Sequence, residues 1–308
     1  RTVSMGFRTV QRPVPPPPGS LAPLGLGGPQ IARTEKPVDD QTYGVLRDLH
    51  RYDASAIDAR VERTDNAPAW WVRETVSFRA AYANERVLAH LFLPKNVAPP
   101  YQAVVILGGS GIVSARRVED FGFPYEFLIR SGRAVMIPAY WGTLERGPSE
   151  LRLPTTEEID RAIKWSRDLG RSVDYLQTRA DSDATKLGFY AISWGAAHTP
   201  RLLAVEGRFK AAALLSGGLF PSQPRQVDSW NFAPRYRVPT LMVNGRQDFT
   251  FPYETNQKVL FEALATPPGD RKLVLYEGGH RNPVTRPDLL GEIIAWFDRF
   301  LGPVQQES

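Results

Sequence analysis

A serine with a small residue two positions before and two after it, set where an apolar run gives way to a helical pattern, can act as a nucleophile. Ala191-Ile192-Ser193-Trp194-Gly195 has that form. The turn that exposes such a serine brings strand and helix close together, and a large Cβ substituent on either side would clash. The usual spelling is Gly-x-Ser-x-Gly; here Ala191 stands at the first small position. By itself the motif is equally compatible with an ordinary strand-to-helix turn.

A serine hydroxyl is a weak nucleophile at neutral pH and needs a base within hydrogen-bond reach. The chain has four histidines. His280, in Glu277-Gly278-Gly279-His280, follows the last apolar run and falls at the same sheet edge as Ser193. His50 lies in a polar stretch, as a surface or packing residue. His90 reads as structural, within an edge strand. His198 is five residues beyond Ser193 and turned away from it. The third member must be an acid at that edge that fixes the imidazole tautomer. Asp248, in Asn244-Gly245-Arg246-Gln247-Asp248, fits; its plainer reading is a helix N-cap near Tyr253. Glu254 is a weaker alternative because it falls inside the helix.

Acyl transfer also needs donors for the developing oxyanion. The backbone N–H of Trp194 is one. The N–H of Ser110, in Gly108-Gly109-Ser110-Gly111, is the other, with a plain glycine-rich turn as the alternative. A phosphate loop is not indicated, since no Lys-Ser/Thr follows. Aromatic residues fall in loops at the same edge: Tyr140, Trp141, Phe220, Trp230, Phe232, Phe249 and Phe251. Tyr140, Trp141 and Phe249 are assigned to the substrate pocket, with core packing as the alternative.

These residues need a scaffold that carries them to one edge. Glu74 to Ala80 and Arg86 to Leu93 alternate as an antiparallel hairpin. The apolar runs Ala103–Leu107, Arg133–Pro138, Lys186–Ile192, Ala211–Leu215, Thr240–Val243 and Lys272–Tyr276 read as buried strands. Between them, helices are expected over 118–130, 156–177, 194–206 and 253–265, with a closing helix over 289–301. Thr155 and Glu158 have capping-box spacing. The fold class is therefore α/β, with a mostly parallel eight-stranded sheet and helices on both faces. About 24 residues separate the Ala211 and Thr240 strands, too few for a large cap domain.

Residues 1–40 read as a Pro-rich linker, with Pro15 to Pro18 favouring a stiff extended spacer, and 41–304 as the folded domain. The chain lacks cysteine, which excludes disulfides, thiolate metal sites and cysteine nucleophiles. Net charge is +5, from 38 basic and 33 acidic residues, but the basic residues are scattered, so nucleic acid is not an expected partner. No apolar run is long enough to span a bilayer. No residue pattern asks for a metal or an organic cofactor. With no signal-peptide pattern, the expected location is cytoplasmic. Arg at position 1, where a Met would start a chain, leads to the expectation of a piece of a larger multidomain protein.

The order Ser193, Asp248, His280 is that of α/β-hydrolases. The chain resembles that superfamily, and within it the dienelactone-hydrolase and prolyl-oligopeptidase-like domains fused to bacterial serine/threonine kinase-like proteins. The segments that carry the resemblance are Glu85 to Ala89, Leu91 to Lys95, Pro99 to Gln102, Ala191 to Gly195, Asn231 to Arg235 and Phe300 to Pro303. It covers about residues 45–304. Gly6-Phe7-Arg8 is similar to the closing strand of formylglycine-generating domains. Ala191 departs from the elbow Gly, and Gly108 stands where such domains more often have Pro or His. The expected activity is a carboxylesterase acting on small-molecule esters, small or aromatic, through a Ser193 acyl-enzyme. The alternatives are a prolyl-oligopeptidase-type peptidase and a non-catalytic module of a signalling protein.

Overall fold

The computed structural model describes residues 33–122, 124–280 and 286–304. The Pro-rich stretch through Pro29 and the Gly6-Phe7-Arg8 segment lie outside these residues.

Nine strands form one sheet: β1 (Arg60–Asp65), β2 (Trp71–Arg79), β3 (Arg86–Pro94), β4 (Tyr101–Leu107), β5 (Ala134–Ala139), β6 (Ser182–Ile192), β7 (Ala211–Leu215), β8 (Thr240–Gly245) and β9 (Arg271–Tyr276). Their order is β1-β2-β3-β5-β4-β6-β7-β8-β9. The pairs from β1 through β3 to β5 are antiparallel, and all those from β5 to β9 are parallel. The expected sheet class holds, with one strand more than the eight read from sequence. The extra strand is β1, Arg-Val-Glu-Arg-Thr-Asp, whose first five residues are exposed. An edge strand needs no apolar face, and charge on it discourages pairing with another chain, so it gives no apolar signal. β1 also moves β2 and β3 inward, so His90 lies on an interior strand and not on an edge.

Seven α-helices surround the sheet: α1 (Asp40–Asp48), α2 (Glu126–Arg130), α3 (Thr155–Thr178), α4 (Trp194–Val205), α5 (Ser229–Phe232), α6 (Lys258–Ala263) and α7 (Pro287–Leu301). Side chains alternate across the sheet, so each central strand feeds two cores. Val105 and Leu107 of β4 pack with Trp165, Leu169 and Leu202 of α3 and α4. Val104 and Ile106, one residue out of phase, pack with Leu128 of α2 and with Ile293 and Phe297 of α7. This two-sided burial is why the parallel strands are continuous apolar runs.

Three expected helices form differently, and α1 and α5 have no counterpart among the expected helices. The 118–130 segment is a short 3-10 turn, Val118–Asp120, followed by the five-residue α2; Gly122 has φ +60°, and Pro124 cannot donate a helix hydrogen bond. The 253–265 segment is a π-turn at Tyr253–Gln257 that passes into α6. α3 starts after Pro154 with no side-chain cap, because Glu158 pairs with Arg161 instead of closing a capping box.

The parallel strands end nearly level. Leu107 of β4 is in register with Ala191 of β6, Ile192 with Leu215 of β7, and Gly245 of β8 with Tyr276 of β9. Loops leaving these ends therefore converge on one edge.

Candidate active site

Ser193 sits between the last residue of β6 and the first of α4 with φ 53° and ψ −115°. A non-glycine residue in that region is strained and persists only where its surroundings hold it. Ser193 N–H donates to Leu215 O at 2.7 Å, and Ser193 O accepts from Ala197 N at 2.9 Å. Gly195 makes the turn possible: a Cβ there would stand 2.5 Å from Gly108 O and 2.6 Å from Leu107 O. Ala191 is fully buried, so its methyl group is accommodated where the usual motif has glycine.

Ser193 Oγ lies 2.7 Å from His280 Nε2, and His280 Nδ1 lies 2.8 Å from Asp248 Oδ2. The buried carboxylate fixes the tautomer: Nδ1–H donates to Asp248, which leaves Nε2 to accept the Ser193 hydroxyl proton. The Asp248 side chain is 0% exposed and that of His280 is 17% exposed, so the imidazole keeps some access to solvent and the carboxylate has none. Asp248 Oδ1 accepts from the N–H groups of Thr250 at 2.8 Å and Phe251 at 3.0 Å. The turn-capping alternative and the orienting role thus coexist, one on each oxygen. The capped turn is Thr250–Phe251, ahead of Tyr253.

The loops bearing Asp248 and His280 are laced together. Gln247 N–H donates to Gly278 O at 3.0 Å, Gly278 N–H to Gln247 Oε1 at 2.6 Å, and Tyr276 OH to Gly279 O at 2.9 Å. A Cβ on Gly245 would run into the carbonyl oxygens of Gly278 and Gly279. That close approach requires glycine at the end of β8.

Ser110 opens a 3-10 turn, Ser110–Val113, directly after β4, and Trp194 is the first residue of α4. Both N–H groups are at helix starts, where no intrahelical carbonyl can reach them. Among the described residues none accepts from either. The turn lies against Ser193: a Cβ on Gly109 would be 3.5 Å from Ser193 Cβ. A Cβ on Gly108 would collide with Ile112 and Phe121, so a bulky residue is excluded there in this chain.

The other histidines take no part in this line. His50 is buried with Nδ1 at 2.8 Å from Ser166 Oγ; burial, reinforced by Arg201, pushes it down to about 3. His90 Nε2 contacts Glu145 at 3.0 Å. His198 is buried against the Trp194 ring, 5.0 Å between centroids, and its Nδ1 accepts from Arg201 at 3.1 Å. Burial and the cations of Arg201 and Arg161 hold His198 well below the usual histidine range. Glu254 lies within the π-turn and pairs with Lys258.

A cleft of about 650 Å³ opens over Ser193, Ser110 and Trp194. One wall is Leu151, Arg152 and Leu153 with Glu158 and Arg161 of α3; the other is Phe220 to Pro224, with Thr250 and Phe251. The expected pocket residues are placed differently. Tyr140 is 1% exposed and packs on Trp165 in the core. Trp141 is half-buried, its N–H held by Asp168 at 2.8 Å and its ring under Lys164 at 4.3 Å. Phe249 is 61% exposed, and its neighbours Thr250 and Phe251 line the cleft in its place. Of the other loop aromatics, Phe232 packs with α1 and Trp230 bounds a different cavity. The sequence signal for the true walls was positional: Leu151 to Leu153 precede α3, and Phe220 to Pro224 follow β7.

Arg161 shapes the first wall. Its guanidinium donates to Glu150 O at 2.7 Å and Leu151 O at 3.0 Å, pairs with Glu158, and lies 4.9 Å from the Trp194 ring. Among the described residues, no three His, Asp or Glu side chains converge as a metal site would require, and no helix is long and apolar enough to cross a membrane.

No protein-family model matches the chain, and no curated protein matches it. Solved structures do. An acetyl xylan esterase from Paenibacillus sp. R4 superposes with TM-score 0.67 at 19% identity, over 88% of this chain and 98% of that one. Acetyl xylan esterase 1 from Thermoanaerobacterium sp. JW/SL YS485 gives 0.65 at 13%, over 86% and 95%. A glucuronoyl esterase from Solibacter usitatus gives 0.58 at 11%, over 87% and 96%. With these likenesses, the mostly parallel sheet and the strand-to-helix turn at Ser193, the chain has the α/β-hydrolase fold, and among the described residues no large cap domain is inserted between β7 and β8.

Proposed function

We propose that the chain is a serine carboxylesterase that cleaves small or aromatic esters through an acyl-enzyme on Ser193. The observation that carries this reading is the continuous hydrogen-bonded line Ser193 Oγ–His280–Asp248, at 2.7 and 2.8 Å, at the edge of an open cleft. The esterase names of the similar structures favour an ester over an amide substrate.

The chemistry follows from that line. Ser193 Oγ attacks the ester carbonyl carbon as its proton passes to His280 Nε2. The carbonyl oxygen becomes an oxyanion held by the N–H groups of Ser110 and Trp194. Collapse breaks the bond to the alkoxy group, which leaves with the proton from His280. Water then loses a proton to His280 and attacks the acyl carbon; the bond to Ser193 Oγ breaks, His280 returns the proton to Oγ, and the acid leaves. Asp248 remains ionised and stabilises the imidazolium. Because the cleft is lined by Phe220, Phe251 and prolines, it suits an apolar or aryl group.

The test is p-nitrophenyl ester turnover by the wild type and Ser193→Ala. Loss of at least about 10⁴-fold in kcat/KM is expected. Equal turnover would exclude the reading.

A further inference from the structure

The wall formed by Phe220 to Pro224 is a single thickness of chain. Ser222 and Gln223 face the cleft over Ser193 on one side. On the other side they face a second cavity of about 630 Å³, bounded by Arg33, Asp228 and Trp230. Close packing is what normally fixes side-chain and loop positions. With a void behind it, this wall must be held by specific ties.

Part of that hold comes from residues 33–40, which lead into α1; the wall is also held where Val227 N–H donates to Pro224 O at 2.9 Å and where the Phe220 ring packs on His198 and Phe251. Arg33 is nearly buried, its side chain 4% exposed against 9% for Asp228. It grips Asp228 with both terminal nitrogens, at 2.8 and 3.1 Å, and donates to Phe220 O at 2.7 Å. A planar guanidinium can hold a carboxylate and a carbonyl together; a lysine offers only a point charge. The same stretch continues the lacing. Trp230 Nε1–H donates to Glu35 O at 3.0 Å, Val38 N–H to Asn231 Oδ1 at 3.1 Å, and Arg235 pairs with Asp40. Arg33 does not line the cleft. Its contact with Phe220 is the tie nearest to it.

We propose that Arg33 is a positioning residue for substrate selectivity: it straps the Phe220–Pro224 wall in place and so sets the size of the acyl group that the cleft binds. The inference rests on the esterase reading above. Esters large enough to reach Phe220 depend on the strap; an acetyl ester, bound mainly around Ser193, depends on it less.

The experiment compares Arg33→Ala, Arg33→Lys and Phe220→Ala in the full chain, with p-nitrophenyl acetate and p-nitrophenyl phenylacetate. Fluorophosphonate labelling of Ser193 is followed in parallel. The expected signature of Arg33→Ala is a KM for the phenylacetate raised about ten-fold more than that for the acetate, with kcat moved by less than about two-fold. Arg33→Lys keeps a cation beside Asp228 and should recover part of the KM. Adding Arg33→Ala to Phe220→Ala should raise KM little further, because both act through one wall. The proposal is overturned if both esters shift together, if KM does not move, or if the two effects multiply. Wild type that labels at Ser193 while Arg33→Ala shows no KM split removes this inference alone. Wild type that neither labels nor turns over either ester removes the esterase reading beneath it.

Discussion

Asp248 meets His280 with one carboxylate oxygen and holds its own loop with the other: Oδ2 lies 2.8 Å from His280 Nδ1, while Oδ1 takes the N–H groups of Thr250 and Phe251. The two tasks can be separated by mutation. Asp248→Asn keeps an oxygen for the turn but presents an amide to the ring, which favours the wrong tautomer. Activity should fall by about 10⁴-fold with the urea midpoint little changed. Asp248→Ala should lose the same activity and also about 1–3 kcal/mol of stability, from the N–H groups of Thr250 and Phe251 left without an acceptor, the second of them buried. Equal stability loss in the two variants would mean that Oδ1 does not hold the loop.

The elbow gives an asymmetric pair. Gly195→Ala forces a methyl group against Gly108 O and Leu107 O, and neither backbone can retreat without moving β4. A loss of about 1–3 kcal/mol is expected, with activity lost as the turn opens. Ala191→Gly removes a buried methyl group from the end of β6; about 0.5–1 kcal/mol is expected, with ester turnover retained. Chemical denaturation and initial rates on both variants test the contrast. Tolerance of Gly195→Ala with full activity would contradict the close approach.

How far the site could be read from sequence follows from what holds each residue. Ser193 and Asp248 were traceable because each follows a strand whose end is buried on both faces, an apolar run that is easy to see; His280 follows β9, an edge strand of which only Tyr276 is buried, but its Leu273-Val274-Leu275 run still marks the strand end. β1 left no such mark, since its charged residues face solvent. Tyr140 and Trp141 follow a strand end as well, yet they turn inward. The cause is Asp168, 27 positions from Trp141, and the packing surface of Trp165. The tie between Arg33 and Asp228 spans 195 positions, and no local pattern can report it.

Acid should destabilise the fold through two histidines. His50 and His198 are held neutral, both below the ordinary histidine value. The unfolded chain protonates them as pH falls below about 6.5, while the folded chain does not, so stability is full above that value and lost beneath it. Each contributes a slope of about 1.4 kcal/mol per pH unit between about 6.5 and the folded-state value. Urea unfolding at pH 7.5, 6.0 and 5.0 should show a steeper fall for wild type than for His50→Gln/His198→Gln. Parallel curves would contradict the burial of neutral rings.

Arg161 ties the opposite wall. Arg161→Met should release the carbonyls of Glu150 and Leu151 and strand the partly buried Glu158. A loss of about 3 kcal/mol is expected, with KM raised more than kcat is lowered. A Glu158→Gln/Arg161→Met double variant should regain part of the stability, because no carboxylate is then left beside a missing guanidinium. A double variant less stable than Arg161→Met would argue against the pair as the source of the loss.

That Ser193 carries the acyl group is tested by the mass of the enzyme caught during turnover. Wild type is mixed with p-nitrophenyl acetate, quenched in acid within the first turnovers, digested and mapped. One acetyl group on the peptide containing Ser193 is expected, formed with a burst of p-nitrophenol equal to the enzyme present, and absent from Ser193→Ala. Steady ester hydrolysis with no acyl group on Ser193, or an equal burst from Ser193→Ala, would contradict it.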